Sequence, residues 1–128
     1  MKNLVVIKPG YLWVLEELLG LAKEHQLTLI ASKEMTLTTD QIRILYRDQL
    51  EKSHYPQIVE YLTSGSVIAL VFVGENAESK IKQIKGKTWS SIGIRGKYAT
   101  DYIRNVMHSS DALDFDIESA VFFTQDEL

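Results

Sequence analysis

The sequence predicts an α+β sandwich of the βαββαβ type, with a four-stranded antiparallel sheet and added short helices. Two observations carry this. Runs of strand length alternate with stretches of helical spacing, in the order strand, helix, strand, helix, strand, helix, strand. No internal repeat, linker or low-complexity segment interrupts that order, and 128 residues suit one compact domain with a real core. Residues 1–128 are therefore expected to form a single domain of ferredoxin-like arrangement.

Each element has its own signal. Residues 4–8 (LVVIK) are a short apolar run, read as a buried strand that Pro9-Gly10 ends. Residues 13–26 place apolar side chains at helical spacing with charges between them. Residues 27–37 alternate and carry β-branched residues, which reads as a strand. Thr38 or Thr39 with Asp40 opens a helix over 39–50. His54-Tyr55-Pro56 leads into a short helix over 57–63. Residues 66–74 (SVIALVFVG) are apolar nearly throughout, as a central strand would be. Residues 75–85 form a helix with Lys80, Lys82 and Lys85 in its last turns, where cations suit the helix dipole. Residues 87–97 read as a linking loop, and 98–106 should include a short helix. His108 then falls on or beside the last strand, and 112–122 is the final helix.

Composition narrows the function. A net charge of -3 gives no reason to expect general nucleic-acid or membrane affinity, so any anion site must come from local clustering of positive residues. There is no cysteine, which excludes disulfides, thiolate catalysis and cysteine-ligated zinc. His25, His54 and His108 are scattered without metal-ligand spacing. No apolar run is long enough to span a bilayer. The first strand begins almost at Met1, which is read as leaving no room for a signal peptide, so a cytoplasmic protein is expected.

The chemistry concentrates in residues 94–111, IRGKYATDYIRNVMHSSD. His108 stands among Asn105, Ser109, Ser110 and Asp111, with Arg95 and Arg104 upstream. A neutral imidazole is a good nucleophile toward phosphorus. Arginines hold phosphate oxygens with paired hydrogen bonds, and small hydroxyl residues leave room for a phosphate. Taken alone, a histidine at the end of an element is also an ordinary structural feature.

This stretch resembles the active-site segment of nucleoside diphosphate kinases, which runs roughly I-R-G-D and then R-N-x-x-H-x-S-D. Here it reads Ile94-Arg95-Gly96-Lys97 and then Arg104-Asn105-Val106-Met107-His108-Ser109-Ser110-Asp111, without a gap between Arg95 and His108. The resemblance extends over the whole chain, from Ile7-Lys8-Pro9 to the ending Phe123-Thr124-Gln125-Asp126-Glu127-Leu128. It implies that Lys8 and Asn105 bind the sugar hydroxyls. Tyr46 matches a tyrosine near the phosphates and the catalytic histidine, although it would equally pack with Ile42 and Leu45 on the apolar face of its helix. Lys82 falls where the family has a phosphate-binding arginine and Thr88 where it has a phosphate-binding threonine. Lysine lacks the planar fork of arginine, and Lys85 and Lys87 are further candidates for that task. Glu118 and Ser110 would orient the imidazole, with the spacing from His108 to Glu118 one residue shorter than usual. Gapless matching puts His54 and Tyr102 on the two sides of the base, or leaves them an exposed loop histidine and an internally packed tyrosine.

The resemblance implies transfer of the γ-phosphate of ATP, or another nucleoside triphosphate, to a nucleoside diphosphate through a phosphohistidine on His108. Mg²⁺ would arrive mostly with the nucleotide phosphates, and Asp111 would meet it through water. Two other classes stay open: a nucleotide-binding member of the same fold with little or no turnover, and a small regulatory or interaction module. The loop between Thr88 and Arg95 is several residues shorter than in the family, where it builds contacts around a threefold axis. A homo-oligomer is still expected, as a dimer or a tetramer of dimers, with no nucleic-acid or membrane partner.

Overall fold

The computed structural model describes residues 1–128. Its sheet has four strands, β1 (Lys2–Ile7), β2 (Thr28–Met35), β3 (Val67–Val73) and β4 (Met107–Ser109), in the order β2-β3-β1-β4. Every neighbouring pair is antiparallel, as the element order predicts. β3 and β1 are central, which explains their nearly continuous apolar sequence: both faces are covered.

Strand alternation sends successive side chains to opposite faces. Val5 and Ile7 of β1 meet α1 (Leu15–Glu24), α4 (Ala77–Lys85) and α5 (Gly93–Tyr98) through Leu18, Ala22, Ile81, Ile84 and Ile94. Leu4 and Val6 meet α2 (Thr39–Leu45), α3 (Tyr55–Leu62) and the chain end through Ile42, Leu45, Ile58, Leu62, Phe122 and Phe123. Each such fully buried aliphatic side chain contributes about 1.5–3 kcal/mol relative to exposure. The last helix, α6 (Phe115–Ser119), lies against this second face through Phe115.

The helix boundaries differ from the sequence reading in ways that shape the site. α2 opens on Thr38, whose hydroxyl accepts from the Gln41 N–H (3.2 Å) while the Gln41 side chain accepts from the Thr38 N–H (2.9 Å). It stops at Leu45 rather than Leu50, because Tyr46 leaves helical geometry at φ -121° and a single tight turn, Arg47–Gln49, follows. No helix forms within 99–106. Instead the Asp101 carboxylate accepts from the N–H groups of Ile103 (2.8 Å) and Arg104 (2.6 Å), a side-chain turn that competes with helix. The helix of this region is α5, all but its last residue inside the segment 87–97 expected to be a linking loop. The final helix is only α6, preceded by a tight turn at Ala112–Asp114.

β4 is short but firmly placed. His108 pairs with Val6, the Lys8 N–H donates to the Val106 carbonyl (2.8 Å) and the Ser110 N–H donates to the Leu4 carbonyl (3.0 Å). β1 therefore fixes both Lys8 and His108 within one ladder.

Candidate active site

A cleft of about 1130 Å³ opens beside β4. Its lining includes Lys8, Tyr46, His54, Arg95, Tyr102, Asn105 and His108, residues spread from one end of the sequence to the other.

His108 is half-buried, and its Nε2 lies 2.7 Å from Glu118 Oε1. A carboxylate only accepts, so Nε2 carries the hydrogen and Nδ1 keeps its lone pair with no protein partner. Burial pushes the imidazole pKa down, partly offset by Glu118, and the nearby charges of Lys8 and Lys85 push the same way as burial. The ring is therefore neutral at neutral pH, the form a nucleophile needs. Glu118 is itself buried and is met on its other oxygen by Arg47, 3.5 Å away, which also pairs with Asp114 at 2.6 Å. The sequence reading missed Arg47; only the shortened α2 brings it beside Glu118.

The backbone just before His108 is strained. Val106 has φ +79°, rare for a β-branched residue, and the Met107 N–H donates back to the Asn105 carbonyl at 3.0 Å, closing a three-residue turn. Arg95 steadies that turn by donating to the carbonyls of Asn105 (3.2 Å) and Met107 (2.8 Å). Val106 is fully buried in the core, which holds the turn in place.

Positive charge gathers around this turn. Lys8 is only 4% exposed and donates to the Asn105 side chain and to the Ile103 carbonyl (3.3 Å). Burial, aided by Arg95 and Lys85, lowers its pKa to about 7. Burial likewise lowers Arg95 from its ordinary value. Tyr46 closes the site from the other side, its ring 5.3 Å from that of His108 and 5.6 Å from the Lys8 amine. Its hydroxyl is buried without a hydrogen-bond partner, and burial raises its pKa. An orphaned hydroxyl beside desolvated cations suits an anionic ligand rich in acceptors.

The model of one family, Nucleoside diphosphate kinase, matches residues 1–128. The chain belongs to the nucleoside diphosphate kinase family. A nucleoside diphosphate kinase of Methanobrevibacter smithii is 32% identical over 134 residues, covering 99% of this chain and 89% of the relative. One of a Wolbachia of Drosophila simulans is 42% identical over 107 residues, covering 80% and 77%. Among solved structures, the apo nucleoside diphosphate kinase of Encephalitozoon cuniculi superposes with a TM-score of 0.93 at 25% identity, covering 99% of this chain and 91% of that one. That of Halobacterium salinarum, in complex with CDP, gives 0.89 at 26% identity, covering 99% and 90%. As a nucleoside diphosphate kinase the chain is a phosphotransferase acting on nucleotides, and the family needs a divalent cation.

Against the family pattern, some expected residues converge and others do not. Lys8, Tyr46, Arg95, Asn105, His108 and Glu118 form one constellation. Ser110 is fully buried, but its hydroxyl accepts from the Leu4 N–H (3.2 Å), and no hydrogen bond joins it to His108 or Glu118. Lys82 lies outside the cleft lining, paired with Glu78 and Asp111, each at 3.0 Å. Thr88 is also outside it, in the loop after α4. His54 and Tyr102 both line the cleft: His54 Nε2 lies 2.9 Å from the Gln49 side chain, and Tyr102 is 74% exposed. Tyr102 is not packed internally; its ring meets Trp89 edge-on at 5.9 Å.

The donor set also bears on the divalent cation. No group of three or more carboxylate or imidazole side chains stands together; the buried cations Lys8 and Arg95 share the lining with His108, and Asp48, Glu60 and Asp101 are its carboxylates. Such residues suit a cation delivered on phosphate oxygens, with Asp111 the carboxylate beside His108, and do not suit a bare ion in a protein cage.

Proposed function

We propose that His108 carries the phosphate of a ping-pong cycle between nucleoside triphosphates and diphosphates. The observation that supports it most is the imidazole itself: neutral, fixed by Glu118 through Nε2, and left with a free lone pair on Nδ1 in a cleft whose lining also carries the buried cations Lys8 and Arg95. The Nδ1 lone pair forms the N–P bond as the bond from the γ-phosphorus to its bridging oxygen breaks, and the electron pair leaves with the nucleoside diphosphate. The second half-reaction reverses this on another diphosphate. Such transfer relies on placement and charge neutralisation more than on proton transfer.

Arg95 and the Tyr46 hydroxyl hold phosphate oxygens in this scheme, with Lys82 and Thr88 at its margin. Lys8 and Asn105 bind the sugar hydroxyls. Glu118 fixes the tautomer, and Ser110 holds the end of β4 that carries His108. The base lies between Tyr102 and His54 with little preference among bases, because stacking tolerates any base and contributes roughly 1–3 kcal/mol. The divalent cation would be Mg²⁺, which would neutralise phosphate charge, and Asp111 would meet it through water. Residues 1–128 act as one domain in the cytoplasm, assembled as a homo-oligomer.

Brief incubation with γ-labelled ATP and Mg²⁺ tests the carrier. An acid-labile, base-stable label is expected on the parent and not on His108→Ala, which should also lose exchange by about 10³-fold or more while unfolding at a similar temperature. Near-normal exchange by His108→Ala would remove the mechanism.

A further inference from the structure

α4 presents two lysines to the end of β4, and they stand in opposite electrostatic states. The Lys82 amine is exposed and already neutralised by Glu78 and Asp111, each 3.0 Å away. Those pairs raise its pKa. The Lys85 amine, one helical turn on, is mostly buried and makes no ion pair; like Lys82 it is not part of the cleft lining, and it reaches the site from the β4 side. Its hydrogen-bond partner is the neutral hydroxyl of Ser109, 2.7 Å away, on the residue next to His108. Burial and the neighbouring Arg95 lower its pKa to about 8. Arg95 in turn bonds only backbone carbonyls. Arg95 lines the cleft and Lys85 stands within its field, each without an ion pair, and two such desolvated cations are costly unless an anion approaches both.

We infer that Lys85, with Ser109 steering its amine, is the α4 cation that grips the nucleotide polyphosphate, and that Lys82 is spent on Glu78 and Asp111. This rests on the reading of the cleft as the phosphoryl-transfer site. The helix geometry explains the exchange of roles. Lys85 lies on the turn of α4 next to the buried Ile81 and Ile84, so its stem runs inward along apolar surface and its amine emerges at β4. Lys82 points away from that core and finds carboxylates first. Ser109 serves as a neutral parking place: a hydroxyl holds the ammonium without cancelling its charge, so no ion pair has to break when phosphate arrives.

The test is titration of the 128-residue chain with MgADP, on the parent and on Lys85→Met, Lys82→Met and Lys85→Arg, with unfolding temperatures measured alongside. Lys85→Met is expected to weaken MgADP binding by roughly tenfold or more, the scale of a charge-assisted hydrogen bond, and by more than Lys82→Met does. Lys85→Arg, which keeps charge and stem, should recover most of that loss, as a purely structural role would not require. A Lys85→Met loss below tenfold, or one no larger than that of Lys82→Met, overturns the assignment. If Lys85→Met does not fold, Lys85→Gln is judged by the same limits. Titration needs no phosphohistidine, so a failure of His108 as carrier leaves this readout intact. A parent that does not bind MgADP overturns both readings.

Discussion

Burial turns ordinary lysines into groups that titrate near neutrality at this site. Lys8, at about 7, and Lys85, at about 8, are each held well below the usual lysine range by desolvation and by neighbouring cations. At pH 8 the free site is therefore short of protons. A polyphosphate brings opposite charge onto Lys85 and, with its sugar on Lys8, into the field of that amine as well, and so raises both values. MgADP binding at pH 8 should then take up protons from solution. Calorimetric titration in buffers of different ionisation enthalpy measures this directly, because the apparent heat changes with the buffer in proportion to the protons exchanged. Binding with no proton uptake, or with release, would mean that Lys85 does not meet the phosphates and that their field does not reach Lys8. The same desolvation acts on His108 with the opposite benefit, since its lowered pKa keeps the imidazole neutral and nucleophilic.

At the scale of elements, the site depends on how α4 turns into α5. Gly86 ends α4 at φ +67° and ψ -162°, a region open essentially to glycine alone. A Cβ there would collide with the backbone of Ile92 and Gly93, and a Cβ on Gly93 would collide with Gly86. Two glycines thus let the chain cross itself backbone to backbone, and this places Arg95 on a helix facing the Val106 turn. Gly86→Ala should cost about 1–3 kcal/mol for the backbone alone, with more for the displaced contact. Because α5 carries Arg95, phosphoryl transfer should fall with stability. Urea unfolding and an exchange assay on the same preparation check both. A stability change within about 0.5 kcal/mol would show that the crossing opens without strain.

At the scale of the whole molecule, the shortened loop leaves large apolar side chains in the open. Trp89 is 64% and Ile92 69% exposed. Trp89, at φ +67°, instead turns its ring onto Tyr102 at the cleft mouth. Trp89 is therefore engaged at the cleft mouth, while Ile92 stays open to solvent. β2 remains an unpaired sheet edge with Leu29 and Ile30 more than a third exposed. A dimer, or a tetramer of dimers, is the expected assembly. Light scattering at working concentration decides it, and a clean hexamer would show that the missing loop contacts are replaced.

The fold class and most of the constellation were legible in one dimension, because their signals are local. Strand alternation, helical spacing and the Thr38 cap depend on near neighbours. Arg95, Asn105 and His108 sit in one motif that runs without a gap, and Lys8 sits in another that closes the first strand. Tertiary structure decided what depends on distant neighbours. The turn made by Asp101 defeated a helix after Tyr98, and the Gly86–Gly93 crossing created one before it. Tyr46 was readable as a core or a cleft residue until the helix was seen to end beneath it. Spacing put Lys82 and Lys85 on one helix without saying which meets a carboxylate and which stays desolvated. That choice is electrostatic: charges interact through space with whatever the fold brings near, and no local pattern in the chain records it.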